Sequence, residues 1–353
     1  MLEVGLMSLG DLLADPTTGA VVSESERHRS LVDQAVLAES YGFASVHLGE
    51  HHFSDYMLSA PPVVLAAIGE RTSTLRLSTA VTLAGNLDPV RVAEDYATVD
   101  VLSGGRAELV LGRGNLFVHT YEGFGHEVET ARARYDESVA LLTRLLTEEH
   151  VTWEGAFRPP LRGHTTRPRP VDRLPVWIGA GSRESAELAA DLGCWLMLPS
   201  VFGSAELFAP IVDIYRSRWE ANGRDWADAR VGACSHTNVG PTTEAARAAW
   251  EPYYRNYWAF VGSLLDGSGR WPTFDYPSLL AGPAICGGPG EVVDRIGRWG
   301  EILGLDRHLF MFDLGGMPHA EVEATIERFA ADVLPQLRAT SGRAGVAGER
   351  IAR

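Results

Sequence analysis

Positive charge is scarce in this chain. Its 31 Lys+Arg face 46 Asp+Glu, a formal net charge of −15 at pH 7. That balance argues against nucleic acid or an anionic membrane as the main partner, because both reward clustered cations. An anionic ligand must then be held by local groups rather than by a general field. Cysteine is scarcer still: Cys194, Cys234 and Cys286 are the only 3, each in or beside an apolar segment and none in a CxxC pair. Buried reduced thiols in a cytoplasmic protein are the expectation. The opening Met1-Leu2-Glu3-Val4-Gly5 has neither the basic region nor the apolar core of a signal peptide. No apolar run approaches the length needed to span a bilayer, so a soluble, cytoplasmic protein is expected. Repeats and low-complexity tracts are absent. So is any HExxH or other cluster at metal-ligand spacing, and no metal is expected.

What is present is a rhythm. Hydrophobic residues make up 45% of the 353 positions, ample for a large core. Strands are expected at residues 2–9, 45–48, 75–81, 107–111, 176–179, 195–198, 230–239 and 308–312, with helical segments between them. Ser23-Glu24-Ser25-Glu26 supplies a capping box for the first helix, and Gly42 ends it. Pro89 opens a helix that stops at Gly104-Gly105. Two stretches interrupt the alternation: residues 151–175, rich in proline and arginine, and a loop over 262–289. Eight βα units imply a parallel sheet that closes into a barrel, with a doubly wound open sheet as the competitor. The expected organisation is one α/β domain over residues 1–337, followed by a small polar tail, 338–353, expected to be disordered.

In such a barrel, functional groups gather at the carboxyl ends of strands. Glu50-His51-His52 follows the second strand. Imidazoles there suit proton chemistry, but a polar loop, a capping pair or a metal site with His47 are the other readings. Ser78-Thr79-Ala80-Val81-Thr82 ends the third strand; its small side chains suit either a flat ring or a tight core. Arg113, between Gly112 and Gly114, suits a phosphate or is a surface arginine in a turn. Gly179-Ala180-Gly181-Ser182-Arg183-Glu184-Ser185 runs from a strand into a helix whose N–H groups favour an anion. Glu184 stands where a dinucleotide fingerprint needs its third glycine, which argues against a Rossmann NAD site. Gly287-Gly288-Pro289-Gly290 lacks the Lys-Ser/Thr of a P-loop and reads as a turn. Aromatics at 250–260, 271–276 and 219–226 read as core or interface.

Taken together, these segments resemble the bacterial luciferase-like flavin-dependent monooxygenase family, from the first strand to Val333-Leu334-Pro335-Gln336-Leu337. The most specific pieces are Gly49-Glu50-His51-His52-Phe53 and Asp88-Pro89-Val90-Arg91-Val92-Ala93-Glu94-Asp95, continuing as Val99-Asp100-Val101-Leu102-Ser103-Gly104-Gly105-Arg106. Gly287-Gly288-Pro289-Gly290-Glu291 matches a family turn before a late helix. The resemblance implies a single (β/α)8 TIM barrel with insertions that binds reduced FMN at its carboxyl-terminal mouth. It makes His51 the catalytic histidine, oriented by Glu50 and His52. It assigns the flavin phosphate to Arg113 and Ser182, with Ser185 and Gly181 beside them. Ala80 and Val81 fall where the family carries a non-prolyl cis peptide beneath the isoalloxazine, and residues 262–283 resemble the loop that shields the flavin.

The implied activity is that of an FMNH2-dependent two-component monooxygenase. A separate NAD(P)H:flavin reductase supplies FMNH2, and O2 gives a C4a-(hydro)peroxyflavin that inserts one oxygen atom into a small organic substrate. A homodimer is implied as well. Gly112 in place of a cysteine, Gly181 in place of an acidic residue and Asn115-Leu116 in place of a Leu-Tyr pair count against long-chain aldehyde as substrate and against light emission. F420-dependent hydride transfer on the same fold is the alternative; the acidic composition and the EHH context lean against it. A non-catalytic flavin-binding relative is a third reading, opposed by the intact His51 and the full-length loop.

Overall fold

A computed structural model describes residues 1–114, 116–265 and 271–339. Its elements run β1 (Glu3–Ser8), α1 (Glu24–Ser40), β2 (Ser45–Leu48), α2 (Pro61–Arg71), β3 (Arg76–Thr79), β4 (Thr82–Leu83), α3 (Pro89–Ser103), β5 (Leu109–Gly112), α4 (His119–Gly123) and α5 (Ala131–Thr147). They continue as β6 (Val151–Trp153), β7 (Leu161–His164), β8 (Val176–Gly179), α6 (Arg183–Leu192), β9 (Trp195–Met197), α7 (Ala205–Ala221), β10 (Val231–Val239) and α8 (Thr243–Leu264). The chain closes with α9 (Tyr276–Ala281), β11 (Ile285–Gly287), α10 (Pro289–Leu303), β12 (Arg307–Met311) and α11 (His319–Arg328).

The main sheet is parallel and ordered β3-β2-β1-β12-β10-β9-β8-β5-β4, with β11 on the far end of β10. β4 continues the line of β3 after the Ala80–Val81 step and pairs with β5. A parallel bridge between Leu77 and Ala107 joins the same two ends of the path. The sheet therefore curls into a barrel, as the alternation of strands and helices implies, and not into an open doubly wound sheet.

Period-2 alternation sorts side chains between two packed layers. Leu309 and Met311 belong with Met7, Trp177, Met197 and Cys234 inside the barrel, joined by aromatic residues of α8. Their strand neighbour Phe310 packs outward with Leu6, Val46 and Ile178 against the helices. The helix ends follow the sequence signals: Ser23 and Glu26 form a reciprocal capping box, and Gly104 ends α3 at φ +70°. Asp88 caps α3 ahead of Pro89, and Gly288 caps α10, so the glycine-rich stretch there is a helix start.

The two interruptions are more structured than loops. Residues 151–164 contain the antiparallel hairpin β6–β7. Within 262–283, α8 ends, and Trp271 packs on Trp258 with ring centroids 4.3 Å apart before α9 begins. Residues 266–270 of that segment, Asn115 and residues 340–353 of the tail lie outside the described residues. Among the described residues no helix is long and apolar enough to cross a membrane.

Candidate active site

The carboxyl ends of β2, β3, β5 and β8 form one arc of the barrel rim. Glu50, His51 and His52 follow β2, Ala80 and Val81 follow β3, Arg113 follows β5, and Gly181, Ser182 and Ser185 follow β8. The fold thus places these nine positions on a single arc.

The loop after β2 is laced to the chain beyond β1. Leu12 N–H donates to the Asp55 carbonyl at 2.7 Å, Met57 N–H to Gly10 at 2.9 Å, and His51 N–H to Leu58 at 3.0 Å. Glu50 is buried, and both carboxylate oxygens are engaged: one with His52 Nε2 at 2.7 Å, the other accepting from Leu83 N–H at 3.0 Å. Glu50 therefore orients His52, and no hydrogen bond joins it to His51 among the described residues. The expected Glu50–His51 arrangement gives way to this pair because the loop aims the two imidazoles differently.

His51 is half-buried. Its ring stacks on Tyr56 with centroids 4.0 Å apart and planes at 25°, and Phe117 lies 5.7 Å away. Nδ1 is closed off from solvent without a well-formed hydrogen bond among the described residues, leaving Nε2 as the ring nitrogen able to meet a ligand. Burial, then the neighbouring His52 and His119, push the imidazole pKa down to about 3, with the Gly49 backbone pulling the other way. At neutral pH His51 is an uncharged base and hydrogen-bonding group, not an imidazolium.

The Ala80–Val81 peptide is cis. Leu48 accepts from Ala80 N–H at 2.9 Å, and the Val81 carbonyl accepts from Glu50 N–H at 3.2 Å, tying this step to the histidine loop. A Cβ on Gly112 would lie 2.1 Å from Val81 Cγ2, and one on Gly179 3.2 Å from Val81 Cγ1. Glycine at 112 is therefore what admits the Val81 side chain. The hydroxyls of Thr79 and Thr82, by contrast, are engaged by Val110 and Tyr96 in the core.

Arg113 has no hydrogen-bond or ion-pair partner for its guanidinium among the described residues, while its carbonyl accepts from the Tyr121 hydroxyl. Ser182 caps α6, accepting from Ser185 N–H at 3.4 Å, and the two hydroxyls are 3.4 Å apart. Arg113 and the serine-capped helix start follow adjacent strands, β5 and β8, and are the types of donor that suit a phosphate monoester. The chain contains no lysine, so any cation gripping a phosphate must be an arginine or a histidine. His47 has both ring nitrogens engaged, by Ser45 Oγ at 3.0 Å and the Thr79 carbonyl at 3.1 Å, which removes it as a metal ligand.

Sequence reasoning missed the aromatic wall facing His51. Tyr56 OH donates to Tyr257 OH at 3.0 Å, and Phe260 packs 4.8 Å from the Tyr56 ring. His236 sits behind Tyr257, its Nδ1 3.2 Å from Tyr254 OH and its sealed Nε2 without a partner among the described residues. The α8 aromatics are core, as their helical spacing implies, yet Tyr257 also reaches the histidine loop. The only signal for Tyr56 is an aromatic within the loop that carries His51.

Comparison with known proteins identifies the family. The family model for luciferase-like monooxygenases matches residues 2–306. An F420-dependent glucose-6-phosphate dehydrogenase of Intrasporangium calvum is 31% identical over 88% of this chain and 95% of its own length. The oxygenase component of a flavin-dependent trigonelline monooxygenase from Acinetobacter baylyi is 23% identical over 89% of this chain and 92% of its own. The crystal structure of a monooxygenase from Streptomyces bottropensis superposes with a TM-score of 0.84 at 26% identity, covering 95% of this chain and 99% of that one. The chain belongs to the luciferase-like monooxygenase family, a group of barrel enzymes whose members work with flavin or with F420.

Proposed function

We propose that this chain is the oxygenase component of a two-component flavin monooxygenase, receiving reduced FMN from a separate NAD(P)H:flavin reductase and inserting one oxygen atom from O2 into a small organic substrate. The observation that carries this reading is the placement, on one arc of the rim, of the half-buried imidazole of His51, of Arg113, whose guanidinium has no partner among the described residues, and of the Ser182-capped start of α6. Arg113, Ser182 and Ser185 hold the FMN phosphate, and Gly181 keeps the turn open. Ala80 and Val81 support the ring system. Reduced FMN supplies the electrons that activate O2. His51 accepts and returns a proton at Nε2 while Tyr56 covers one face of its ring and excludes water. His52, clamped by Glu50, lines the same loop. The Acinetobacter relative, named as an oxygenase component, supports a reductase partner.

F420-dependent hydride transfer is the second reading, favoured by the 31% identity to the Intrasporangium dehydrogenase. The net charge of −15 weighs against it, since a longer anionic cofactor tail needs more cations than Arg113. The deciding experiment mixes the chain anaerobically with photoreduced FMN or with reduced F420, then admits air. Reoxidation of bound FMN through an O2-dependent transient is expected. Tight F420 binding with O2-insensitive turnover would replace the first reading by the second. His51→Ala should keep FMN affinity while product formation falls about 100-fold; unchanged turnover removes His51 from the chemistry.

A further inference from the structure

We propose that Tyr257 is a positioning residue for His51 and acts through Tyr56: the hydroxyl on α8 fixes the Tyr56 ring, and that ring holds and dries one face of the imidazole. This rests on the reading of His51 as the proton-handling group of the site.

Tyr56 lies on a loop whose backbone is already pinned. Asp11 and Tyr56 form an isolated antiparallel bridge, and Leu12 and Met57 add hydrogen bonds on either side. What remains free is the orientation of the ring, which a tyrosine sets with two torsions. Three contacts decide it. His51 stacks on the ring, Phe260 meets it 4.8 Å away, and the hydroxyl donates to Tyr257 OH at 3.0 Å. Tyr257 and Phe260 are three residues apart on α8 and so share a helix face. Tyr257 is in turn held edge-on by His236, with centroids 5.2 Å apart. The wall behind His51 is therefore completed by α8, whose Tyr257 lies 201 residues from Tyr56 along the chain.

The two hydroxyls are buried, and each is the other's side-chain partner. His52 and His119 are the charged or titratable groups facing His51. Asp11 faces both tyrosines, and Asp313 and Cys234 face Tyr257; Asp11 and Asp313 are tied to Arg27. Removing one hydroxyl leaves the other buried and unsatisfied, whereas removing both leaves two apolar rings of nearly the same shape. That asymmetry separates positioning from simple packing.

The test follows His51 directly by imidazole 15N NMR, assigned against His51→Ala, together with turnover on photoreduced FMN. In the unsubstituted protein His51 should remain neutral through pH 5. In Tyr257→Phe the stranded Tyr56 hydroxyl seeks water and tilts the ring off His51. His51 should then titrate about one pH unit or more higher, and kcat should fall about tenfold with KM little changed. Tyr56→Phe keeps an apolar ring on the imidazole and should move the titration less. The double variant Tyr56→Phe/Tyr257→Phe should return both readouts towards the starting values. An unmoved His51 titration in a well-folded Tyr257→Phe protein overturns the proposal, as does a double variant at least as impaired as Tyr257→Phe. A shifted titration with unchanged turnover upholds the positioning and instead removes His51 from the chemistry.

Discussion

The two ends of the barrel treat charge in opposite ways. At the amino ends of the strands, Arg307 opens β12 and is bonded by Glu3 at 2.6 and 2.9 Å and by Glu108. Glu108 also accepts from Trp177 Nε1 at 3.0 Å, and Arg76 stands 3.4 Å from it. Burial alone would raise the Glu108 pKa, yet Arg307 holds the carboxyl below its ordinary value. Every charged group in this floor is answered by another group of the same chain. At the mouth, the Arg113 guanidinium has no such answer among the described residues. A buried charge is costly to leave without its partner, whereas the carboxyl ends of strands are where a barrel gathers functional groups.

The comparison breaks most visibly at the floor. Arg307→Met strips buried Glu108 of its main cation and leaves only the half-exposed Arg76 at 3.4 Å, and unfolding by urea should show a loss of about 3 kcal/mol. FMN binding by the molecules that remain folded should be unaltered. A loss below about 1 kcal/mol would rank the pair with exposed ion pairs.

Arg113→Ala is the matching change at the mouth. Stability should move by no more than about 0.5 kcal/mol, while FMN affinity, followed by fluorescence quenching, should fall by about 2–3 kcal/mol, near 100-fold. Intact affinity would mean the free guanidinium serves some other ligand.

Gly112→Ala probes the cradle between the two ends. Its Cβ would meet Val81 Cγ2 at 2.1 Å, so Val81 must shift, at a cost of about 1–3 kcal/mol in stability or in FMN affinity. Val81→Ala in the same chain should restore most of that loss, because touching residues couple. A double variant that merely adds the two single effects would show that Val81 is not what Gly112 accommodates.

What the sequence discloses divides along similar lines. The barrel strands are legible because each is a short apolar run between helices with explicit caps, such as Ser23 with Glu26 and Asp88 with Pro89. The arc of His51, Arg113 and Ser182 is legible because each follows a strand end. The β6–β7 hairpin is not, since three of the four residues in Leu161–His164 are exposed and show no alternation. β11 is a three-residue run set among glycines and prolines, too short to stand out. That Glu50 clamps His52 depends on how the loop turns through Phe53, whose φ of 55° is left-handed. The Tyr56–Tyr257 contact is a product of barrel closure, and no local pattern encodes it.

Both ends of the barrel also hold a neutral histidine, and pH separates them. His47 and His51 each have a pKa pushed down to about 3, chiefly by burial, which Arg307 reinforces at His47 and His52 at His51. In the unfolded chain both return to about 6.5. Between those values the unfolded state binds the extra proton, so the stability each contributes is complete above about pH 6.5 and declines as pH falls, by about 1.4 kcal/mol per pH unit. Asp11, raised to about 6 by burial despite Arg27, opposes this trend between pH 6 and its unfolded value. His51→Gln should therefore leave stability at pH 8 little changed and make its decline between pH 6 and 5 shallower by about 1.4 kcal/mol per unit. His47→Gln should flatten the slope equally but also lose stability at pH 8, because both His47 nitrogens are hydrogen-bonded. Urea titrations at pH 8, 6 and 5 measure all of this. If His51→Gln leaves the slope untouched, the imidazole is already open to protonation in the folded state, and the mouth does not keep its base dry.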